Sequence, residues 1–186
     1  GHKDYAMINE YAKTIGHQGD VMPWDWAYYS EKYKNEKYAI NDEQVKPYLK
    51  LDNVIKGVFM VAEKLYGLQF VANNEIAVYH PDVTAYEVKD ADGKFLSVLY
   101  LDFFPRASKR SGAWMTEFRG QSIKDGVERR PFISTVMNFT KPTADAPALI
   151  THDELTTFLH EFGHALHGMF AQGRYGSLTG TNVSRD

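Results

Sequence analysis

Residues 160–164 read H-E-F-G-H, and they lie in a stretch whose apolar residues recur at helical spacing. Side chains four positions apart in an α-helix lie one turn apart on nearly the same face. His160 and His164 are therefore expected to project together, and two imidazoles placed in this way can hold one Zn²⁺ ion. Glu161 is the candidate general base beside them. The pattern predicts a helix that carries two metal ligands and a catalytic carboxylate.

The start of this helix is visible in the sequence. Thr151 and Glu154 match the T-x-x-E capping box, and the helix is expected to cover about 151–172. Gly163 lowers helix stability by about 1 kcal/mol relative to Ala, which suggests that another group packs closely against it. The predicted apolar face consists of Leu155, Phe158, Leu159, Phe162, Leu166 and Met169. Both histidines of the motif are expected on the opposite side.

Composition narrows the kinds of partner. The 186 residues are 44% hydrophobic, which is enough for one sizeable core. A net charge of −3 gives no sign of a nucleic-acid surface, and no apolar run approaches the roughly 20 residues that span a membrane. The chain has no cysteine, so zinc would have to be held by His and carboxylates. The lack of cysteine favours a cytoplasmic protein over an exported one, although the compartment stays open.

The periodicity predicts an α+β, mainly helical fold with a small, largely antiparallel sheet ahead of the H-E-x-x-H helix. Three segments are predicted: a helical segment over 1–67, a sheet-rich segment over 68–139 and the active-site helix over 151–172. Asn41 and Asp52 are predicted N-caps, and Gly67 is a predicted helix stop. Predicted helices cover 3–15, 23–39, 42–48 and 52–66, and predicted strands cover 68–71, 83–88, 95–104 and 132–139. The turn sequence D-A-D-G at 90–93 predicts a hairpin between the second and third strands. The helix over 52–66 is expected to place Val54, Val58, Val61, Ala62 and Leu65 on one apolar face.

The third metal ligand is not evident. Zinc hydrolases usually use three protein ligands and a water. His167 lies three positions after His164, just under one helical turn, and it fits a supporting histidine better than a ligand. No Glu follows Glu161, and the terminal Asp186 is a weak candidate.

Several segments carry a family resemblance. They are L-Y-L-D-F-F-P-R at 99–106, K-R-S-G-A-W-M at 109–115, N-F with K-P at 138–142, F-L-H-E-F-G-H-A-L-H-G at 158–168, R-Y at 174–175, and G-T-N-V-S-R-D at 180–186. From about Tyr79 onward the chain resembles the thimet oligopeptidase family of zinc peptidases. It is most similar to the peptidyl-dipeptidase (dipeptidyl carboxypeptidase) branch.

This resemblance implies that residues 1–186 form a portion of a zincin-like metallopeptidase catalytic domain. Its third zinc ligand would be a glutamate shortly beyond Asp186. The chain is thus expected to be a fragment that binds zinc weakly or not at all and is inactive alone. Zincins place an edge strand ahead of the metal helix to align the peptide backbone. Phe132–Phe139 fits that strand, which makes Val136, Met137 and Asn138 candidate substrate-binding residues.

The predicted function of the full-length protein is zinc-dependent hydrolysis of short peptides, with release of C-terminal dipeptides. One alternative is an endo-acting oligopeptidase of the same family. Another is a non-enzymatic helical module in which the H-E-x-x-H match is incidental. A third is a different zinc hydrolase whose site is completed by Asp186. Short peptides are the expected partners, with neither nucleic acid nor membrane involved.

Overall fold

A computed structural model describes residues 1–39 and 42–183 of the chain. Contacts divide the chain into two compact units, Gly1–Val45 and Lys46–Asp186. The helices are α1 His2–Thr14, α2 Trp26–Tyr38, α3 Asp42–Val45, α4 Leu51–Tyr66 and α5 His152–Met169. The strands are β1 Gln69–Ala72, β2 Thr84–Lys89, β3 Phe95–Asp102, β4 Trp114–Arg119, β5 Ser122–Lys124, β6 Val127–Arg129 and β7 Phe132–Val136. Helices plus a small mixed sheet confirm the α+β class.

The first unit contains α1, α2 and α3. The helices predicted for 3–15 and 23–39 are confirmed, although α2 begins only at Trp26. The Tyr11 hydroxyl on α1 donates to the Glu36 carboxylate on α2 at 2.6 Å, which joins the two helices. Asn41, the predicted N-cap of α3, lies outside the described residues.

Helix α4 packs against the sheet. Its predicted start was wrong by two residues. Its N-cap is Lys50, whereas Asp52 lies in the first turn. The Leu51 amide donates to the Ala148 carbonyl at 2.9 Å, so a contact with a distant segment fixes where the helix begins. Gly67 ends the helix at φ +70°, as predicted. Val54, Val58 and Ala62 are buried, but Val61 and Leu65, predicted on the same face, are exposed.

The main sheet has the strand order β1-β2-β3-β7-β4. Strand β3 pairs in parallel with β7, and the other three pairings are antiparallel. The sheet is therefore mixed and largely antiparallel. Its antiparallel pairings agree with the prediction, whereas the parallel pair was not predicted. The predicted β2–β3 hairpin is confirmed. The Asp90 side chain accepts from the Asp92 and Lys94 amides, and Gly93 takes φ +78° in the turn.

The prediction that 132–139 forms an edge strand was wrong. Strand β7 covers only Phe132–Val136 and lies between β3 and β4. Strand β4 was not predicted, and it covers the side of β7 that was expected to be open. Within the described portion of the chain, the open edge of the sheet on this side belongs to β4. The β5–β6 hairpin also went unpredicted.

The core lies between the sheet and helices α4 and α5. Leu99 and Ile133 of the sheet pack with Phe158 and Met169 of α5, and all four are buried. The opposite sheet face carries a smaller cluster around Val98 and Tyr100. No helix in the described ranges is long and apolar enough to cross a membrane.

Candidate metal centre

Helix α5 starts where its capping box predicts. The Glu154 amide donates to the Thr151 hydroxyl oxygen at 3.1 Å, and the Thr151 amide donates to the Glu154 carboxylate at 2.8 Å. These bonds satisfy amides that lack partners at a helix start. The buried face includes Phe158, Phe162, Ala165 and Met169. Leu159, predicted on that face, is 45% exposed.

His160 and His164 lie together on the exposed side of α5. Their Nε2 atoms are 3.1 Å apart, and their ring centroids are separated by 4.7 Å. Tetrahedral zinc with Zn–N bonds of about 2.0–2.1 Å requires about 3.3 Å between two such nitrogens. The two imidazoles therefore fit one zinc ion after a shift of a few tenths of an ångström. In residues 1–39 and 42–183, no group of three His, Cys, Asp or Glu side chains is placed to hold a metal.

Glu161 is buried, with 9% of its surface exposed. Glu161 was predicted to flank the two histidines, and it is more buried than either of them. No hydrogen bond to its carboxylate occurs within the described ranges. Neither oxygen of this carboxylate is therefore engaged by another group of the described residues.

His167 faces the segment that follows α5. Its Nε2 atom donates to the Gly180 carbonyl oxygen at 2.8 Å. Nearby, the Thr181 hydroxyl donates to one carboxylate oxygen of Glu117 at 3.1 Å. The other oxygen of Glu117 is buried with no hydrogen-bond partner among the described residues. His167 thus anchors the chain after α5, and a supporting role for it at a metal remains a prediction.

Close packing against α5 occurs at Gly168 rather than at Gly163. A Cβ atom at Gly168 would lie 2.9 Å from Cδ1 of Ile133 and 3.2 Å from Oε1 of Glu117. A Cβ atom at Gly163 would meet nothing within 4 Å in the described portion of the chain. Strands β7 and β4 therefore approach the helix closely at Gly168.

The candidate substrate-binding residues 136–138 are occupied by internal contacts. Val136 pairs with Asp102 on one side and with Trp114 on the other. The Met137 amide donates to the Asp102 carbonyl at 2.8 Å. The side chain of Asn138 donates to two carbonyl oxygens of the 103–113 loop. Peptide binding by these residues remains a prediction, but it cannot use an open edge of β7.

A buried charged cluster lies beside β7, and no role was predicted for its residues. Asp102 and Lys109 are 1% and 3% exposed at their side chains, and Arg106 pairs with the same Asp102 carboxylate. All three residues lie in segments that carry the family resemblance, 99–106 and 109–115, so the resemblance could have pointed to them. Strand β4 had a weaker signal, since Trp114 and Phe118 are four positions apart and so share one face of an extended segment between Gly112 and Gly120.

Comparison with known proteins identifies the family. The model of peptidase family M3 matches residues 1–186. The chain is 48% identical over 187 residues to the dipeptidyl carboxypeptidase of Salmonella typhimurium, covering 97% of the chain and 27% of that protein. Identity to the Escherichia coli dipeptidyl carboxypeptidase is 47%, covering 89% of the chain and 24% of that protein.

A second group of relatives is somewhat more distant. The chain is 39% identical to oligopeptidase A of Escherichia coli, covering 97% of the chain and 27% of that protein. The chain spans about a quarter of the length of the curated relatives it matches. The resemblance predicted from the motif segments is confirmed, including its lean towards the dipeptidyl carboxypeptidase branch. Because the family model covers every residue, the chain belongs to peptidase family M3.

Proposed function

We propose that the full-length protein is a zinc-dependent peptidase that removes C-terminal dipeptides from short peptides. The observation that carries this proposal is the pair of exposed imidazole nitrogens of His160 and His164, 3.1 Å apart, with Glu161 beside them on the same helix. The relatives are named as peptidases, which supports hydrolysis of peptides.

The three motif residues divide the chemistry between them. His160 and His164 would hold the metal through their Nε2 atoms. A bound zinc ion supplies a water whose pKa falls towards about 7. Glu161 would accept a proton from the attacking water and deliver it to the amide nitrogen that leaves.

The third ligand would come from a segment of the full-length protein other than residues 1–183. Asp186, the weak alternative, lies outside the described residues. Two imidazoles hold zinc less tightly than three ligands, so we expect residues 1–186 alone to bind zinc weakly and to hydrolyse no peptide. Tight, stoichiometric zinc binding by residues 1–186 would contradict this aspect of the proposal.

Strand β4 is the better candidate to align a peptide, in place of the interior β7. An extended peptide can add to an open sheet edge through main-chain hydrogen bonds. Glu117 on β4 reaches Gly168 on α5, so this edge runs beside the helix that carries the two histidines. A peptide paired antiparallel to β4 would place its C-terminus near Trp114, where the strand begins.

Release of dipeptides rather than internal cleavage is supported by the higher identity to the two dipeptidyl carboxypeptidases, 48% and 47%, than to oligopeptidase A, 39%. The second candidate is therefore an endo-acting oligopeptidase. Both candidates require the same metal pair and the same base.

Mass spectrometry of the products tests the proposal. The full-length protein is incubated with one peptide that has a free C-terminus, with and without a chelator. We expect successive C-terminal dipeptides, lost in the chelator and restored by added zinc. Internal cuts would favour the oligopeptidase. No chelator-sensitive cleavage would contradict the enzymatic proposal and leave the non-enzymatic module.

A further inference from the structure

The loop of residues 103–113 joins β3 to β4 by crossing over the end of β7. Strand β7 lies between β3 and β4 and runs parallel to β3. Asp102, at the end of β3, and Trp114, at the start of β4, both pair with Val136, the last residue of β7. The position of the loop therefore determines where the open edge of β4 begins.

The Lys109 side chain ties this loop to the chain that leaves β7. Its ammonium group is buried and donates to the Phe104 carbonyl oxygen at 2.8 Å, to an Asp102 carboxylate oxygen at 3.2 Å and to the Met137 carbonyl oxygen. Because an ammonium group has three donors, these contacts can employ all of them. Lys109 thus joins the start of the loop to Met137, the residue that follows β7.

The Asp102 carboxylate also holds the loop, because it binds Arg106 as well as Lys109. Arg106 donates to both of its oxygens, at 2.8 and 2.9 Å, and the Tyr79 hydroxyl donates to one of them at 3.0 Å. Burial raises the pKa of Tyr79 to about 12, so the hydroxyl keeps its proton. A charged cluster of this kind costs desolvation, and apolar residues of similar size would stabilise a core at least as well. Unlike an apolar cluster, these directional hydrogen bonds fix the position of the loop backbone.

Asn138 anchors the far end of the loop. Its side-chain amide donates to the Arg110 carbonyl oxygen at 3.0 Å and to the Gly112 carbonyl oxygen at 2.7 Å. Gly112 takes φ +90°, a conformation that suits glycine, and β4 begins two residues later. The Arg110 guanidinium lies over the Trp114 ring at 4.5 Å, which adds a contact between the loop and the strand start.

We propose that Lys109 and Asn138 are positioning residues for peptide binding, because they hold the 103–113 loop and so fix the start of the open β4 edge. The inference rests on the proposed peptidase function and assigns these two side chains to substrate affinity rather than to the chemical step. Asn138 would then affect peptide binding without touching the peptide.

The test compares Asn138→Ala with Asn74→Ala in the zinc-loaded full-length protein. Asn74 is an exposed turn residue distant in sequence from the loop, so it is a matched control. We expect Asn138→Ala to raise KM about tenfold, the effect of losing two ordinary hydrogen bonds, with kcat within about twofold of wild type. Zinc content should not change. Amides of residues 114–119 should exchange with deuterium faster than in the control variant.

An unchanged KM in Asn138→Ala would overturn the inference, as would a fall in kcat and zinc content without a rise in KM. Lys109→Met should reproduce the rise in KM, and if that variant fails to fold, Asn138→Ala decides. Absence of chelator-sensitive cleavage by the wild type would refute the proposed function separately. Deuterium exchange at 114–119 would still test the positioning role, because exchange no faster than in Asn74→Ala would overturn it.

Discussion

The Arg130 guanidinium donates to the Met169 carbonyl oxygen at 2.7 Å, at the last residue of α5. It also donates to the Ala171 carbonyl at 2.9 Å and, through Nε, to the Leu96 carbonyl of β3 at 2.9 Å. The last carbonyls of a helix lack partners within it, and a cation there also suits the helix dipole. One buried arginine therefore ties the end of the motif helix to the sheet.

Arg130→Met should destabilise the chain by about 3 kcal/mol, because three carbonyl oxygens lose a charged donor in a buried place. Urea unfolding followed by circular dichroism measures this change. Arg130→Lys should recover only some of the loss, since an ammonium group cannot reproduce the planar arrangement of donors.

The matched control is Arg129→Met. Arg129 is exposed on β6, and its replacement should change the free energy of unfolding by less than about 0.5 kcal/mol. Equal losses in the two variants would contradict the anchoring role of Arg130.

Two glycines of α5 should respond oppositely to alanine. Gly163→Ala should stabilise the 186-residue chain by up to about 1 kcal/mol, because it removes a helix glycine and its Cβ meets nothing within 4 Å among the described residues. Gly168→Ala should destabilise the chain by about 1–3 kcal/mol, because its Cβ would press on the buried Ile133. Thermal unfolding of the two variants side by side gives the signs, and the same sign for both would contradict this packing.

The sequence was informative where local signals decide structure. The Thr151 capping box, the Gly67 stop and the β2–β3 hairpin follow from short-range hydrogen bonds and backbone preferences, and all three occur as predicted. Predictions from the sequence were wrong where contacts between distant segments determine the structure. The start of α4 depends on Ala148, and the interior position of β7 depends on pairing with β4, a short and partly polar strand.

The same division applies to the candidate site. Helical spacing alone brings His160 and His164 together, so their proximity was predictable. Neither the burial of Glu161 nor the loop anchors at Lys109 and Asn138 could be derived from spacing, since they depend on tertiary packing.

Acid should weaken the Asp102 cluster. Burial alone would raise the pKa of Asp102, but hydrogen bonds from Arg106 and Lys109 outweigh it and hold this pKa below its ordinary value near 3.8. The carboxylate therefore contributes stability above its unfolded-state pKa, and this contribution disappears as pH falls through the lower folded-state pKa. Asp102→Asn should thus be less stable than wild type at pH 7, with the difference shrinking below about pH 4.

Urea unfolding at several pH values measures this convergence. Asp145→Asn is the control, because Asp145 is exposed in the linker before α5 and should leave the pH profile unchanged. A stability difference between Asp102→Asn and wild type that stays constant down to about pH 2 would show that the charge of Asp102 is not responsible.

Glu161→Gln separates the base from the metal ligands. The amide is close in size to the carboxylate but cannot accept the proton of the attacking water, so we expect kcat of the full-length protein to fall by about 10²–10⁴-fold. Zinc content should stay at the wild-type level, because His160 and His164 are untouched. His164→Ala should instead lose both zinc and activity, and added zinc should not rescue it. Near-normal turnover by Glu161→Gln would remove Glu161 from the base role, whereas zinc loss in that variant would make it a member of the metal site.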